Sequence, residues 1–564
     1  MKLDVYFPRR LCPHAPKTGG YVLLLCVAAF IILGGNAPGE IYPLLAAVSA
    51  YLFCVGLFYV LSGRLLFAWA VSSALVIILQ FTHQLKVHFY KDGLFFSDFY
   101  LMADPANLGT LRHYPLAGLA FLALFLFVFA TGAVAWRGRP RQAGYVPLAV
   151  GFCLMVVSAL GGAQCLVRYQ AVWAGSLPGG TGVVSNLVMS ARQVVYTSPA
   201  FPAYASHDFT ARAALSSSAS EPGPSVHPDI VMLLQESTTD PLLYRVPRPA
   251  LLPHLAMFEQ DAHVKAHTLM RVQTFGGGTW LSEFAALTGL RSDDFGSLKS
   301  AVFYSVIDHV SDSLFRQMKA NGYYTVVLTP FNKSAYNAGH AYHMMGVDKI
   351  IQPQELGYPG KMSDNLWHIS TADMLKYVKV IMSRETKKPL FIYALTMYEH
   401  GPYDAGHQDD YQLGAVMDKT GSAGKFSHYV QKIKTSDTAL AAFFQYVDAR
   451  ARPTLFLYFG DHQPGIDWTN GYTTSLQDPR HLTQFSLRDN ANPSPVSDLG
   501  PVTDIAFLGG ILLERGRLTV SPYWQANIAM RHLCQGRMDD CEDKLLLNSY
   551  RHYIYDDLHV ASVP

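Results

Sequence analysis

An aspartate and a histidine stand side by side at the end of an apolar, strand-like run, Thr454-Leu-Phe-Leu-Tyr-Phe-Gly-Asp-His-Gln-Pro464. Open α/β sheets carry their chemistry at the carboxyl ends of strands, so Asp461 and His462 are candidate ligands or acid–base groups. A second apolar run, Ile230-Val-Met-Leu-Leu234, leads through Gln235 into Glu236. In Gln273-Thr-Phe-Gly-Gly-Gly-Thr-Trp280 three glycines precede Thr279, and the residues Leu281 to Leu287 predict a helix. Backbone amides and the positive helix end would then face an anion, which sets Thr279 to meet a phosphoryl group. Glu236, Thr279, Asp461 and His462 offer three oxygens and one imidazole, a set suited to one divalent metal, Zn²⁺ or Mn²⁺. Coordination would lower the pKa of the Thr279 hydroxyl and yield a nucleophile near neutral pH. His400, in Tyr398-Glu-His-Gly-Pro-Tyr403 after the run Leu390 to Leu395, is placed to donate to a phosphoryl oxygen or protonate a leaving alcohol.

These residues need a scaffold. Short β-rich runs at Ile230 to Leu234, Tyr323 to Leu328, Leu390 to Leu395, Thr454 to Phe459 and Ile505 to Leu508 alternate with amphipathic stretches such as Ser311 to Asn321 and Ser436 to Arg450. The alternation predicts an α/β domain with a mostly parallel central sheet, beginning near Pro228. His481 and Asp504 fall late in this region and are further candidates for lining the site.

The 564 residues are 50% hydrophobic and 15% charged, too apolar for an ordinary soluble chain. Five blocks before residue 166 predict membrane-crossing helices: Tyr21 to Leu33, Ile41 to Leu61, Leu65 to Phe81, Leu116 to Trp136 and Tyr145 to Cys165. Lys2, Arg9, Arg10 and Lys17, then Arg64, then Arg137, Arg139 and Arg141 mark the cytoplasmic loops. An odd number of crossings places everything after Cys165 outside. The loop holding Lys91-Asp-Gly-Leu-Phe-Phe-Ser-Asp98 reads as an interfacial connector. Val184, Leu187, Val188, Ala191 and Val195 recur at helical spacing, as in a helix on the membrane surface, and Ser216 to Ser225 reads as a linker. The domains expected are thus a transmembrane domain at 1–166, an interfacial helix and linker at 167–227, and an exported catalytic domain at 228–564. Four of seven cysteines lie in or at the end of spans. The spacing of Cys534 and Cys541 permits either a disulfide or two free thiols. A net charge of +2 argues against a nucleic-acid partner.

On these residues the chain resembles the membrane-anchored transferases of the alkaline phosphatase and sulfatase superfamily: lipoteichoic-acid synthases, phosphoglycerol transferases of periplasmic glucans and phosphoethanolamine transferases of lipid A. The motifs that carry the resemblance are Glu236 after the first strand, the glycine-preceded Thr279, His400 before Gly-Pro, and Gly460-Asp-His462. The resemblance implies a five-helix transmembrane bundle followed by an alkaline-phosphatase-like domain. It also implies a bacterial inner-membrane location with the catalytic domain on the periplasmic side. By the same resemblance Thr279 is the nucleophile that takes a phospho-alcohol head group from a phospholipid, Glu236, Asp461 and His462 hold the metal with it, and His400 contacts the phosphoryl group. Phe331-Asn-Lys-Ser-Ala-Tyr-Asn337 is similar to a substrate-contacting stretch of lipoteichoic-acid synthases, with Tyr336 in place of a Trp and Ala338 in place of an Arg. Asn332, Tyr336 and His340 are the candidates for that pocket. Thr279-Trp-Leu-Ser-Glu283 lacks the Cys/Ser-x-Pro-x-Arg frame of sulfatases, which argues against sulfate ester hydrolysis.

The expected donor is phosphatidylglycerol, with phosphatidylethanolamine as the alternative, and the expected acceptor is an envelope glycan or glycolipid. A phosphodiesterase passing the same intermediate to water, and a non-catalytic envelope scaffold, are the competing classes.

Overall fold

Unbroken apolar runs dominate both ends of the architecture, as membrane helices before residue 169 and as strands buried on both faces after residue 228. The computed structural model describes residues 15–34, 41–90, 92–103, 115–138, 145–168, 182–191, 195–216, 227–384, 387–417 and 421–563. The chain divides into two compact units, one formed by residues 1–99 and 109–195 and the other by 100–108 and 196–564.

The N-terminal unit holds α1 (Ala15–Gly34), α2 (Ile41–Ser62), α3 (Leu65–Tyr90), α5 (Pro115–Gly138), α6 (Val146–Arg168) and α7 (Val183–Ala191), and the short α4 (Asp98–Ala103) begins in it and ends in the segment 100–108. Among the described residues, four helices are long and apolar enough to cross a membrane: Ile41–Ser62, Leu65–His88, Gly118–Trp136 and Val146–Cys165. The chain is therefore a membrane protein. The expected fifth span, Tyr21 to Leu33, falls within α1, whose apolar stretch is Thr18–Leu33. At 1.5 Å per residue that stretch covers roughly 24 Å, short of a hydrocarbon core of about 30 Å. The third span runs past the expected Phe81 to His88. Lys86, near the end of α3, pairs with the buried Asp98 at 2.8 Å and donates to the Gly93 carbonyl at 2.8 Å, so the connector that follows is tied down by charge. Helix α7 buries Val183, Val184 and Leu187 in a cluster with Tyr51 and Val55 of α2. The basic residues Lys2, Arg9, Arg10, Arg139 and Arg141, and the linker 217–226, lie outside the described residues.

The C-terminal unit is built on one sheet ordered β4-β3-β5-β1-β6-β7-β2-β8. Its strands are β1 (Asp229–Gln235), β2 (Val264–Arg271), β3 (Tyr324–Leu328), β4 (Lys349–Ile351), β5 (Leu390–Leu395), β6 (Thr454–Gly460), β7 (Leu482–Asp489) and β8 (Val502–Asp504). All neighbours pair parallel except those of β7. Strand side chains alternate between faces. Ile230, Met232 and Leu234 accordingly enter one apolar core, and Val231 and Leu233 the other. The first face is covered by α8 (His207–Ser216), α9 (Thr279–Thr288), α10 (Leu314–Ala320), α11 (Ala338–Met344), α14 (Leu508–Arg515), α15 (Pro522–Leu533) and α16 (Lys544–His552). The second is covered by α12 (Thr371–Met382) and α13 (Ser422–Asp448).

Four of the five expected strands form within a residue of their expected ends. The fifth does not: Ile505 to Leu508 is a helical turn leading into α14, and the strand is Val502–Asp504. Asp504 ends that strand because its carboxylate caps the turn, accepting from the Ala506 N–H at 3.0 Å. A short apolar run has no period to distinguish a buried turn from a strand. Cys534 and Cys541 are joined in a disulfide, with Cα atoms 5.6 Å apart. Within the loop they close, Asp539 meets Arg291 at 2.8 Å and Arg551 at 2.7 Å, and Asp540 meets Arg271 at 2.8 Å.

Candidate metal centre

The register of the central strands brings two carboxylates together. Gln235 of β1 pairs with Gly460 of β6, so the next residues, Glu236 and Asp461, leave adjacent parallel strands at the same level. Gly460 is required there, since a Cβ at that position would lie 1.7 Å from the Thr238 carbonyl oxygen. Ser237 adopts a left-handed φ of 50°, an uncommon conformation for a residue with a side chain. The turn directs its N–H to Asp461 Oδ1 at 2.7 Å and its hydroxyl to Glu236 Oε1 at 2.8 Å.

Thr279 arrives from above. Gly276, Gly277 and Gly278 all have positive φ, and Gly278, at φ 81° and ψ 37°, caps α9 so that Thr279 is its first residue. The Thr279 hydroxyl donates to Glu236 Oε2 at 3.1 Å. Ser282, on the same helix, donates to the Asp461 carbonyl at 2.6 Å and fixes the helix against the end of β6.

Glu236, Asp461 and His462 are fully buried and present ligand atoms within 4.8 Å of one another. His462 Nδ1 faces the Gln463 carbonyl at 2.9 Å and so carries the ring proton. Its Nε2 is thereby a bare acceptor, 3.2 Å from Asp461 Oδ2 and 3.4 Å from Glu236 Oε1. Among the described residues, neither Asp461 Oδ2 nor His462 Nε2 has a hydrogen-bond partner. Acceptors facing one another in a buried site need a cation or a proton between them, and three such atoms beside a threonine hydroxyl fit a divalent metal. Burial and the neighbouring Glu236 push the Asp461 carboxyl well above the usual carboxylate range.

Sequence reasoning missed Glu399 and Glu283, two fully buried acids around this centre. Glu399 accepts from Gln235 Nε2 at 3.1 Å, Thr371 Oγ1 at 2.9 Å and Thr396 Oγ1 at 3.0 Å, while Thr396 Oγ1 accepts from the Glu236 N–H at 3.2 Å. Its position next to His400 was the available signal. Glu283 lies four residues after Thr279, on the same side of α9 by helical spacing.

His400 is half-buried, its ring set edge-on to Trp367 with centroids 4.9 Å apart, and Lys432 Nζ donates to its carbonyl at 2.8 Å. Tyr336 turns its hydroxyl inward to Glu283 at 3.1 Å and presents its ring between Trp280, at 6.1 Å, and Phe331, at 5.7 Å. Trp367 packs on Phe331 at 5.1 Å. A continuous file of rings thus runs from the residue after Thr279 to His400. Asn332 is committed to its own turn, accepting from the Ser334 N–H and hydroxyl at 3.0 Å. His340 pairs with Asp308 at 2.6 Å on the surface. His481 pairs with Asp478 at 2.6 Å, and Asp504 is locked against Arg291.

Residues 228–507 match the Sulfatase family. The chain belongs to the sulfatase/alkaline phosphatase-like superfamily. Along 558 residues it is 36% identical to an uncharacterized protein of Haemophilus influenzae, covering 96% of this chain and 99% of that one. It is 23% identical to the capsular polysaccharide biosynthesis protein RkpI of Rhizobium meliloti over 443 residues, 75% of this chain and 77% of that one. Among solved structures, the Streptococcus pyogenes phosphoglycerol transferase GacH in complex with sn-glycerol-1-phosphate aligns with a TM-score of 0.49 and 17% identity, over 64% of this chain and 95% of that one. Superfamily members bind a divalent metal such as zinc, in keeping with the ligand set here.

Proposed function

We propose that the protein is a metal-dependent transferase that moves a phospholipid head group, phosphoglycerol in the leading reading, through a covalent intermediate on Thr279 to a hydroxyl of an envelope glycan or glycolipid. The observation that carries this reading is the Thr279 hydroxyl donating to Glu236 at 3.1 Å within a buried set whose remaining acceptors have no protein partner. The attached membrane helices supply the reason for a lipid donor.

Glu236, Asp461, His462 and Thr279 would hold a divalent ion, Zn²⁺ or Mn²⁺. When bound, such an ion supplies Lewis acidity that lowers the pKa of a coordinated hydroxyl and offsets charge on a phosphoryl oxygen. The chain's own groups do the rest. Glu236 is in position to accept the proton of Thr279 as its Oγ bonds to phosphorus. The bond from phosphorus to the diacylglycerol oxygen breaks, and that oxygen takes a proton, for which His400 is the candidate donor. The N-terminus of α9 favours the negative charge gathering at phosphorus. In the second half an acceptor hydroxyl gives its proton to His400 as its oxygen bonds to phosphorus, and the bond from phosphorus to Thr279 Oγ breaks, with that oxygen taking back the proton held by Glu236.

Arg64, between the spans Ile41–Ser62 and Leu65–His88, and Arg137, Arg139 and Arg141, between Gly118–Trp136 and Val146–Cys165, favour a cytoplasmic side for those two loops and an outside location for the C-terminal unit, and the resemblance to membrane-anchored transferases favours a bacterial inner membrane. Phosphoethanolamine transfer would use the same four residues, and hydrolysis would use water in the second half.

Mass spectrometry of the purified protein after incubation with mixed phosphatidylglycerol and phosphatidylethanolamine tests the reading. A head-group adduct on Thr279 with released diacylglycerol supports transfer, and its mass names the donor. An unmodified Thr279 beside free phospho-alcohol would point to a hydrolase.

A further inference from the structure

Glu283 has no role in the steps above, and its surroundings are unusual for a carboxyl group. It is fully buried, and hydroxyl groups serve its two oxygens: Tyr336 at 3.1 Å and Tyr342 and Tyr393 beside it, the last at 3.3 Å. Burial raises its pKa to about 8. A methionine or leucine would fill this volume without the several kcal/mol lost on desolvating a carboxyl. What the carboxyl adds is direction. Its three partners come from three different elements: the Ala335–Asn337 turn, α11 and β5.

Two of these connections reach the nucleophile. Tyr393 of β5 pairs with Met232 of β1, the strand that ends at Glu236. The Glu283 to Tyr393 bond is therefore a strut between the helix carrying Thr279 and the sheet carrying its hydrogen-bond acceptor. Tyr336 and Asn337 both hold left-handed backbone, with φ of 39° and 61°. Such conformations are strained for residues with side chains and persist only where surrounding contacts impose them. Here the Tyr336 hydroxyl is bound to Glu283, and Asn337 Nδ2 donates to the Phe303 carbonyl at 2.6 Å. The tether keeps the Tyr336 ring against Trp280, which directly follows Thr279.

We propose that Glu283 is a positioning residue: its carboxyl fastens α9 to β5 and to the Tyr336–Asn337 turn, and so sets the direction of the Thr279 hydroxyl toward Glu236 and toward the phosphorus it attacks. This rests on Thr279 being the nucleophile.

The test uses the full chain in lipid nanodiscs with fluorescent phosphatidylglycerol and phosphatidylethanolamine, comparing E283Q, Y393F, Y336F and the E283Q/Y393F pair. Glutamine keeps the volume but puts an NH₂, which accepts nothing, where the neutral carboxyl has one O–H and a lone pair left to accept from a tyrosine hydroxyl. A displacement of the reacting group by about 1 Å costs on the order of 100-fold, so kcat for E283Q falls about 10-fold to 100-fold while KM stays within about threefold. Y393F and Y336F shift kcat in the same direction, and the pair is no slower than E283Q alone by more than about twofold, because both substitutions cut one strut. Zn²⁺ or Mn²⁺ titrated alone binds E283Q about 10-fold more weakly, since misdirecting a ligand from its outer partners typically costs 10-fold to 100-fold in affinity. Should E283Q fail to fold, Y393F, whose ring still fills the core, carries the same comparison. Unchanged kcat in a folded variant, a loss carried by KM, or additive effects in the pair would each overturn the proposal. If the wild-type chain releases neither head group, the transferase reading fails by itself, and metal affinity decides the positioning role: equal Kd for wild type and E283Q overturns it.

Discussion

Asp461→Asn should make the metal-free protein more stable and the metal-supplemented protein no more stable than that. Without a cation, Asp461 and Glu236 hold like charges within 4.8 Å in a buried site. At an effective dielectric constant of about 20 that repulsion is about 3 kcal/mol. The chain relieves part of it by protonating Asp461, whose pKa is raised, so the realised gain from removing the charge is about 1–3 kcal/mol. The amide also repairs a mismatch. Asp461 Oδ1 keeps its bonds from the Ser237 and His462 N–H groups, while an NH₂ in place of Oδ2 donates to the bare His462 Nε2 3.2 Å away, adding about 1 kcal/mol. For a domain of this size each kcal/mol raises the melting temperature by about 2 °C. Scanning calorimetry of the full chain with a chelator should then show D461N melting about 4–8 °C above wild type. With Zn²⁺ or Mn²⁺ at 100 times Kd, wild type gains about 2.7 kcal/mol by mass action, and D461N gains almost nothing. A chelated D461N that melts below wild type, or one that still responds to metal, would refute the assignment of these atoms to an ion.

Thr279→Ala should lower head-group release by about 10³-fold or more, since the covalent route loses its nucleophile, while metal-free stability changes by less than about 1 kcal/mol; turnover assays and calorimetry check both. Glu283 binds a proton in the folded state up to pH about 8, whereas in the unfolded chain, at its ordinary value of 4.5, it loses the proton above that pH. Its contribution to stability is thus complete below pH 4.5 and is lost as pH rises toward 8, so E283Q should flatten the stability profile across that window in calorimetric scans. Replacing Cys534 and Cys541 together by alanine should cost about 2.5 kcal/mol from the entropy of the small loop they close. It should also loosen Asp539 and Asp540 from Arg291, Arg551 and Arg271, measurable as faster amide exchange in 534–541. Thr396→Val removes the acceptor of the Glu236 N–H and should weaken Zn²⁺ binding by about 10-fold, read by calorimetric titration.

The parts of the site legible in the sequence are those that depend on chain direction alone. Glu236, Asp461 and His462 follow apolar runs, and parallel strands put their ends on one edge, so the carboxylate pair was readable before its register was known. Thr279 was readable from three glycines that only a tight turn before a helix needs. Glu283 was not, because nothing in Thr279-Trp-Leu-Ser-Glu283 says whether the fifth residue meets water or three tyrosines drawn from positions 336, 342 and 393. The strands β2, β4 and β7 were also missed. Their side chains are short runs or mixed polar and apolar, as in Leu482–Asp489, where Thr483, Gln484, Ser486 and Arg488 are buried along with the apolar residues. Arg488 is buried only because Asp261 and Asp448 pair with it at 2.7 and 2.6 Å, partners more than a hundred residues and forty residues away.

The same distinction explains what became of the expected head-group pocket. Tyr336 was placed there for its ring, yet its hydroxyl is spent on Glu283, and the ring joins Trp280, Phe331, Trp367 and His400 in one file. An aromatic file of this kind offers apolar faces and favours a cation lying over them by about 0.5–2 kcal/mol, whereas a glycerol hydroxyl needs a polar partner that Asn332 and His340, each already hydrogen-bonded, would have to give up bonds to supply. On the proposed reading, discrimination between the two lipid donors would therefore turn on the half-buried Trp367 more than on the metal ligands. Trp367→Ala should lower kcat/KM for phosphatidylethanolamine about threefold to 30-fold relative to phosphatidylglycerol if the ammonium lies on the rings, and equal losses for both lipids would mean the file only shapes the wall. Competition between the two fluorescent lipids in one reaction reads that ratio directly, because kcat/KM values set the partition regardless of enzyme concentration.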